Sequence, residues 1–243
     1  MSDAALLQPA VKADKRLIVP LDVATIAEAR ALVAALGDTV SFYKVGLELF
    51  ATEGMTLARE LKAQGKQVFL DWKLHDIGTT VQRAAAALAQ ADCGDFLTVH
   101  GEPQVMASAV RGRGGSGLKI LAVTVLTSLS DADLHEMGYT ESARALVERR
   151  IHQAIAAGCD GVVSSPHEAE LARTIGGRNF LVVTPGVRPD WSARNDQARA
   201  ATPLEALKAG ASHVVCGRPI TAANDPQAAA LRVAAEMAQA GQS

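Results

Sequence analysis

Short apolar or β-branched runs recur along the chain, and most neighbouring runs are separated by a segment rich in Ala, Leu, Glu and Arg with helical spacing. This alternation predicts strands that are each followed by a helix. The eight predicted strands are LIVPLD (17–22), VSFYKVG (40–46), QVFLDWK (67–73), DFLTVH (95–100), KILAVTVL (119–126), DGVVSS (160–165), FLVVTPG (180–186) and SHVVCG (212–217).

The clearest predicted helix covers residues 25–37, TIAEARALVAALG. Thr25 is the expected N-cap, Glu28 is its capping-box partner, and Gly37 ends the helix. An alanine- and leucine-rich stripe over residues 226–240 predicts a second helix that faces the core.

Eight strand-helix units in 243 residues average about 30 residues each, which is the size of a right-handed βαβ repeat. We therefore expect one domain over residues 1–243, a (β/α)8 TIM barrel, with residues 1–15 as a flexible N-terminal extension. An open doubly wound sheet is the alternative. It is less favoured because no predicted strand is followed at once by a GxGxxG turn, and because polar residues cluster at strand ends.

Two stretches depart from the repeat. The glycine-rich piece GRGGSG (112–117) precedes a strand and is interpreted as a flexible connection. The polar stretch RPDWSARNDQARAATP (188–203) follows the seventh strand without steady periodicity. Because long loops in compact domains often close over binding sites, it is predicted to be a lid.

Composition narrows the class of partner. The chain is 49% hydrophobic with a net charge of -2 and a pI near 6.3, and its basic residues are dispersed, so neither nucleic acid nor an anionic membrane is an expected partner. No run approaches the roughly 18 apolar residues of a membrane span. The three cysteines, Cys93, Cys159 and Cys216, form no CxxC pair. We expect a cytoplasmic protein with a small-molecule partner.

Candidate chemistry gathers at the ends of the first three strands. Side chains alternate along a strand, so Asp71 and Lys73 share a face with Phe69, while Trp72 points the other way towards the helices. The C-terminal rim is where barrels keep catalytic residues. Asp71 and Lys73 are therefore expected at the barrel mouth.

The same parity argument brings Asp22 and Lys44 to the mouth, and Asp76 follows in the next loop. Alternating signs on neighbouring strands predict that these charges compensate one another. A salt-bridge ring that only closes the barrel is the structural alternative, and a set of five charges at three adjacent strand ends favours catalysis over it.

DWKLHDI (71–77) resembles the Asp-x-Lys-x-x-Asp-Ile signature of the orotidine 5'-phosphate decarboxylase family, and further matching motifs follow in that family's order. They are LDV (21–23), YKVG (43–46), LAVTVLTS (121–128), TPGVRP (184–189), NDQAR (195–199) and VVCGRPIT (214–221). Two positions depart from the family pattern: Gly78 and Thr79 stand where Pro and Asn are usual, which leaves the loop of Asp76 freer.

The resemblance implies cofactor-independent decarboxylation of orotidine 5'-phosphate to uridine 5'-phosphate, with no metal. It implies a catalytic set of Lys44, Asp71, Lys73 and Asp76, in which Lys73 protonates C6. It implies a homodimer in which Asp76 and Thr80 reach the partner subunit's site. The implied substrate-binding residues are Asp22, Lys44, Thr80, Thr127, Pro185, Arg188, Gln197, Gly217 and Arg218. His75 is assigned no catalytic role, whereas His100, which ends the fourth predicted strand, would contact the charged array if it faces the mouth.

Two other functions stay open. One is a magnesium-dependent sugar-phosphate decarboxylase or aldolase of the same wider barrel group, which shares the Asp-x-Lys-x-x-Asp run. Thr127 and Gln197, which suit a pyrimidine and a phosphate lid, argue against it. The other is a non-catalytic phosphate-binding barrel, whose ligand binding would survive loss of Lys73.

Overall fold

The computed structural model describes residues 13–192 and 201–241. The predicted phosphate ligand Gln197, the middle of the predicted lid and most of the predicted N-terminal extension lie outside these described residues.

The described residues form a closed barrel of eight parallel strands, in which each strand pairs with the next and β1 pairs with β8. The predicted (β/α)8 barrel is confirmed, and each strand lies inside its predicted run or ends within one residue of it. The strands are β1 (Leu17–Pro20), β2 (Phe42–Val45), β3 (Gln67–Leu74), β4 (Phe96–His100), β5 (Lys119–Val123), β6 (Gly161–Val163), β7 (Leu181–Pro185) and β8 (His213–Val215).

At least one helix follows every strand and covers the outside of the barrel. The helices are α1 (Ile26–Leu36), α2 (Leu47–Phe50), α3 (Gly54–Ala63), α4 (Gly78–Ala91), α5 (Pro103–Arg113), α6 (Asp131–Glu136), α7 (Ala143–Ala157), α8 (Ala169–Gly176), α9 (Pro203–Lys208), α10 (Arg218–Thr221) and α11 (Pro226–Ala238). Helix α11 buries Ala229, Val233 and Met237, as its apolar stripe predicts. None of the helices in the described ranges is both long enough and apolar enough to cross a membrane.

The barrel has two apolar layers, which follow from the alternation of side chains along each strand. The inner layer is a compact cluster that includes Ile18, Phe42, Phe69 and Phe96, and it fills the barrel below the mouth. The outer layer, which includes Leu70 and Trp72 on β3, lies under the helices. The predicted parity of β3 is therefore confirmed.

Helix ends show where local sequence signals hold. Thr25 accepts a hydrogen bond from the amide of Glu28, and Gly37 ends α1 with φ 53°, as predicted. The reciprocal bond expected from the Glu28 side chain is not formed among the described residues, so the capping box is only half present there. Complete boxes occur at Ser130 and Thr202 instead.

The lower rim of the barrel is held by a repeated polar contact. Asp95 accepts a hydrogen bond from the amide of Val68 at 2.7 Å, and Asp160 accepts one from the amide of Ile120 at 2.9 Å. In each case a residue just before one strand satisfies an amide of the preceding strand. Ser212 does the same for Val182 at 2.9 Å. These contacts help to fix the strand register at the end of the barrel where chemistry is not expected.

The glycine-rich segment 112–117 differs in part from its interpretation as a flexible connection. Gly112 lies inside α5, where an added Cβ would approach the carbonyl oxygen of Gln82 to 2.2 Å. The absent side chain therefore lets α5 lie close against α4. Gly114 ends the helix with φ 56°, and the connection to β5 begins only there.

His213, the first residue of β8, supports a prediction about pH. It lies against the rings of Phe42 and Phe96 at 5.8 and 5.2 Å. Burial lowers its pKa from 6.5 to about 4, despite the nearby Asp14 carboxylate. The unfolded chain therefore binds the proton more readily, so stability is complete above about pH 6.5 and is lost as the pH falls towards 4.

We expect protonation of His213 to lower the free energy of unfolding by roughly 2 to 3 kcal/mol between pH 7 and pH 4. Urea unfolding across that pH range should show a smaller decrease in the free energy of unfolding for His213→Gln than for the unchanged protein. Equal losses in the two proteins would contradict the prediction.

Candidate active site

A cavity of about 440 Å³ opens at the C-terminal ends of the strands. Six predicted charged residues line it, namely Asp22, Lys44, Asp71, Lys73, Arg188 and Arg218. Phe69, Val123 and Val215 form part of its apolar wall. The structure thus gathers charges from β2 and β3 and from the segments that follow β1, β7 and β8 around one partly apolar space.

Lys44 is the buried centre of the charged array. Its Nζ lies 2.8 Å from Asp22 Oδ1 and 3.4 Å from Asp71 Oδ2, and the residue is 8% exposed. Gly46 makes room for this arrangement. An added Cβ at Gly46 would lie 2.5 Å from Asp22 Oδ1 and 3.0 Å from Lys44 Nζ, so any side chain there would displace the ion pair.

Lys73 is the fourth member of a row of alternating charges that runs from Asp22 through Lys44 and Asp71. Its Nζ lies 2.9 Å from Asp71 Oδ1, so the Asp71 carboxylate bridges the two lysines. The backbone of Lys73 has φ 46°, which lies in the left-handed region that non-glycine residues rarely adopt. The pairing of β3 with β4 shifts register between Leu70 and Leu74, where this turn of the backbone occurs. Strained backbone of this kind is common at functional sites.

Thr98 on β4 links the Asp71 side chain to the backbone of Lys73. Its hydroxyl donates to Asp71 Oδ1 at 3.0 Å and accepts from the amide of Lys73 at 3.0 Å. The residue is fully buried. Sequence reasoning missed Thr98, although strand parity places it on the inward face of β4 between Phe96 and His100, where it could have been found.

The ionisation of Asp71 follows from these contacts. Burial by itself would raise its pKa, but Lys44, Lys73 and the Thr98 hydroxyl together bring the pKa below its ordinary value of 3.8. Asp71 is therefore a carboxylate at neutral pH, despite being largely removed from water.

The loops after β7 and β8 bring two arginines to the cavity. Arg188 follows β7 with Pro185 and Gly186, and Arg218 follows Gly217 after β8. Loops after the seventh and eighth strands are frequent phosphate sites in barrels. The amide of Arg188 donates to the carbonyl oxygen of Ala201 at 2.9 Å, which joins the two described ends of the predicted lid. Thr127, in the loop after β5, also lines the cavity.

Two predicted residues do not enter this cavity. Asp76 and Thr80 are exposed beyond the end of β3 and are absent from its lining. The Asp76 carboxylate accepts a hydrogen bond from the amide of Ile77 at 2.6 Å. Gly78 begins α4, and an added Cβ there would lie 2.7 Å from Ser108 Oγ on α5. The loop of Asp76 is thus followed by a closely packed helix start.

A (β/α)8 barrel that carries a lysine-carboxylate array and two arginines around one cavity at its C-terminal rim has the architecture of a barrel enzyme. A family model described as orotidine 5'-phosphate decarboxylase / HUMPS family matches residues 15–233. The chain belongs to this family, as the sequence resemblance predicted.

Individual relatives agree with the family match. An orotidine 5'-phosphate decarboxylase of Caulobacter sp. (strain K31) is 73% identical over 228 residues, which cover 94% of this chain and 99% of that protein. One from Rhodopseudomonas palustris (strain HaA2) is 52% identical over 93% of this chain and 95% of that protein. The crystal structure of orotidine 5'-phosphate decarboxylase from Lactobacillus acidophilus superposes with a TM-score of 0.81 at 39% identity, covering 92% of this chain and 99% of that one.

Thr98 yields a prediction about stability. In Thr98→Val the partly buried Lys73 amide loses its acceptor and Asp71 loses a donor. Leaving such groups unsatisfied should lower the free energy of unfolding by about 1 to 3 kcal/mol. Thr98→Ser keeps the hydroxyl and should recover most of that loss in the same denaturant titration. A valine variant as stable as the unchanged protein would show that these two bonds are not needed.

Proposed function

We propose that this protein catalyses the cofactor-independent decarboxylation of orotidine 5'-phosphate to uridine 5'-phosphate, as a carboxy-lyase of pyrimidine biosynthesis. The observation that carries the proposal is the ionised Asp71 carboxylate held between Lys44 and Lys73 at the mouth of the barrel. The names of relatives that are 73% and 52% identical support the same reaction.

Lys73 is the proposed proton donor. Loss of carbon dioxide from C6 of the pyrimidine leaves an electron pair that the ring delocalises poorly. An ammonium group fixed beside that carbon offsets the developing negative charge and then transfers its proton to C6. The contact of Lys73 Nζ with Asp71, at 2.9 Å, holds the ammonium in place before the substrate arrives.

Asp71 has two proposed roles. It orients both lysines, and its negative charge faces the carboxylate that the substrate loses. Two carboxylates in a partly desolvated cavity repel each other, and the departure of carbon dioxide relieves that repulsion. The lowered pKa of Asp71 keeps this charge present at neutral pH.

The remaining cavity residues are proposed to bind the rest of the nucleotide. Asp22 and Lys44 would hold the ribose hydroxyls, and Thr127 would bind the pyrimidine. The proposed phosphate ligands are Pro185, Arg188, Gln197, Gly217 and Arg218. A guanidinium can bind phosphate oxygens in a bidentate manner, which makes Arg218 the principal anchor. Binding energy from this remote group can help to order the charged array.

Asp76 and Thr80 are proposed to act in the site of a second subunit. Both side chains are exposed, and they lie outside the cavity of their own chain. The neighbouring Ile77 is 70% exposed, and Leu47 and Phe50 on α2 are also exposed apolar residues. Exposed apolar side chains beside functional polar ones are typical of an interaction surface. A homodimer would bury them and deliver Asp76 to the partner.

We further propose that the chain works as one domain in the cytoplasm. The three cysteines are buried and free, which is consistent with a reducing compartment.

The central test of the function is Lys73→Ala. We expect this variant to lose decarboxylation of orotidine 5'-phosphate by at least about a thousand-fold, since it lacks both the compensating charge and the proton donor. Uridine 5'-monophosphate should still bind, as measured by calorimetry. Unchanged turnover in Lys73→Ala would overturn the mechanism.

An assay that follows the loss of orotidine 5'-phosphate absorbance, run in metal-free buffer with a chelator, separates the reaction from that of a magnesium-dependent relative. Full activity is expected there. Activity that disappears with the chelator and returns with magnesium would support the alternative. A barrel that binds the nucleotide but never turns over orotidine 5'-phosphate would be a binding protein.

Mixed dimers test the placement of Asp76. Chains with Asp76→Ala and chains with Lys73→Ala are each expected to be nearly inactive alone. After the two are unfolded and refolded together, hybrid dimers contain one site with an intact Lys73 and an intact partner Asp76. Activity should then recover to roughly a quarter of the unchanged level if subunits combine at random. No recovery would place Asp76 in the site of its own chain.

A further inference from the structure

A cluster of charged and aromatic side chains lies beside the cavity without lining it. Its members are His75, His100, Glu102, Tyr139 and Arg150, from four different parts of the chain. The mechanism proposed above uses none of them. His75 directly precedes Asp76, so this cluster contacts the segment that carries the proposed cross-subunit carboxylate.

Glu102, which precedes α5, has one satisfied and one unsatisfied carboxylate oxygen. Oε1 accepts a hydrogen bond from Arg150 Nη2 at 3.3 Å. Oε2 is buried and has no hydrogen-bond partner among the residues that the structure describes. Buried carboxylate oxygens without a donor are costly, so each one calls for a partner.

The imidazole of His75 lies close to this oxygen. His75 Nε2 lies 3.8 Å from Glu102 Oε2, which is just beyond hydrogen-bonding distance. The His75 ring also lies against His100, with centroids 4.9 Å apart and planes tilted by 38°. Burial lowers the pKa of His100 despite the neighbouring Glu102 carboxylate. The ring that packs against His75 is therefore uncharged at neutral pH.

Arg150 binds the other carboxylate oxygen of Glu102, Oε1. Its guanidinium donates to the Tyr139 hydroxyl at 3.0 Å and to the carbonyl oxygen of Thr124, and it lies over the Tyr139 ring. Gly101 leaves space for this side chain, because an added Cβ would lie 3.1 Å from Arg150 Cδ. Arg150 therefore anchors one oxygen of Glu102, whereas the His75 side chain is 59% exposed and has room to move towards the other oxygen.

We propose that Glu102 is a positioning residue for the partner subunit's site: its Oε2 accepts a hydrogen bond from His75 Nε2 and thereby fixes segment 75–77, which presents Asp76 to the second chain. The inference rests on the proposed function and on the proposed dimer. Contact with the second chain closes the gap of 3.8 Å, as polar contacts at catalytic sites often tighten only in the assembled complex.

Two variants separate this role from a structural one. Glu102→Gln keeps an oxygen that accepts from Arg150. The side-chain amide NH2, which cannot accept a hydrogen bond, then faces His75. His75→Phe keeps a ring against His100 but has no donor. Each should lower kcat/KM on the order of ten- to a hundred-fold through misplacement of Asp76. The double variant should be no worse than either single one, because both remove the same bond.

Glu141→Gln is the matched control. The Glu141 carboxylate pairs with Arg149, the residue next to Arg150 on α7, at 2.6 Å and near the surface. It has no contact with segment 75–77, so activity and unfolding should both be unchanged.

Mixed dimers give the decisive result. Glu102→Gln chains refolded with Lys73→Ala chains should regain activity to roughly a quarter of the unchanged level, because the intact Lys73 then receives Asp76 from a chain with an intact Glu102. His75→Phe chains should behave in the same way. A purely local effect of Glu102 on its own cavity would give no such recovery.

The controls distinguish failure of this inference from failure of the proposed function. Recovery with the Asp76→Ala and Lys73→Ala pair but not with the Glu102→Gln and Lys73→Ala pair would overturn the positioning role alone. The role is also overturned if Glu102→Gln and His75→Phe both keep full activity. No recovery in either mixture would overturn the proposed dimer and the positioning role with it.

Discussion

The site depends on one buried carboxylate that is shared by two lysines. Asp71 lies within 3.4 Å of Lys44 Nζ and 2.9 Å of Lys73 Nζ. A charge removed from water is costly unless opposite charges and hydrogen bonds replace its hydration. Here two ammonium groups and the Thr98 hydroxyl supply that replacement. The array is thus mutually stabilised before any substrate is bound.

Several features of the barrel follow from the need to hold this array. Gly46 leaves space for the Asp22-Lys44 pair, since any Cβ would displace it. The left-handed backbone at Lys73 is held by the hydroxyl of Thr98 on the neighbouring strand. Parallel strands bring all these residues to one rim, and the polar contacts of Asp95 and Asp160 fix strand register at the other. Stability and chemistry therefore occupy opposite ends of the barrel.

Much of this arrangement could be predicted from the sequence because strand alternation has a strict period of two. Parity placed Asp71 and Lys73 at the mouth and Trp72 under the helices, and motif order indicated the family. Features that depend on packing between elements distant in sequence could not be predicted. Gly112 and Gly78 are examples, since their close neighbours Gln82 and Ser108 lie on other helices. The half-formed capping box at Glu28 also shows that a motif does not guarantee its second bond. Gln197 lies outside the described residues, and its role stays a prediction.

Direct titration of the Asp71 carboxyl group tests the central claim. With carbon-13 label in the aspartate carboxyl carbons, and with Asp71→Asn to assign the resonance, the signal can be followed by NMR as the pH is lowered from about 7 to about 4. The account predicts that Asp71 remains mostly ionised throughout, with a pKa below the ordinary value of 3.8. A carboxyl group that takes up its proton above that value would show that the two lysines do not offset its burial, and would contradict the account.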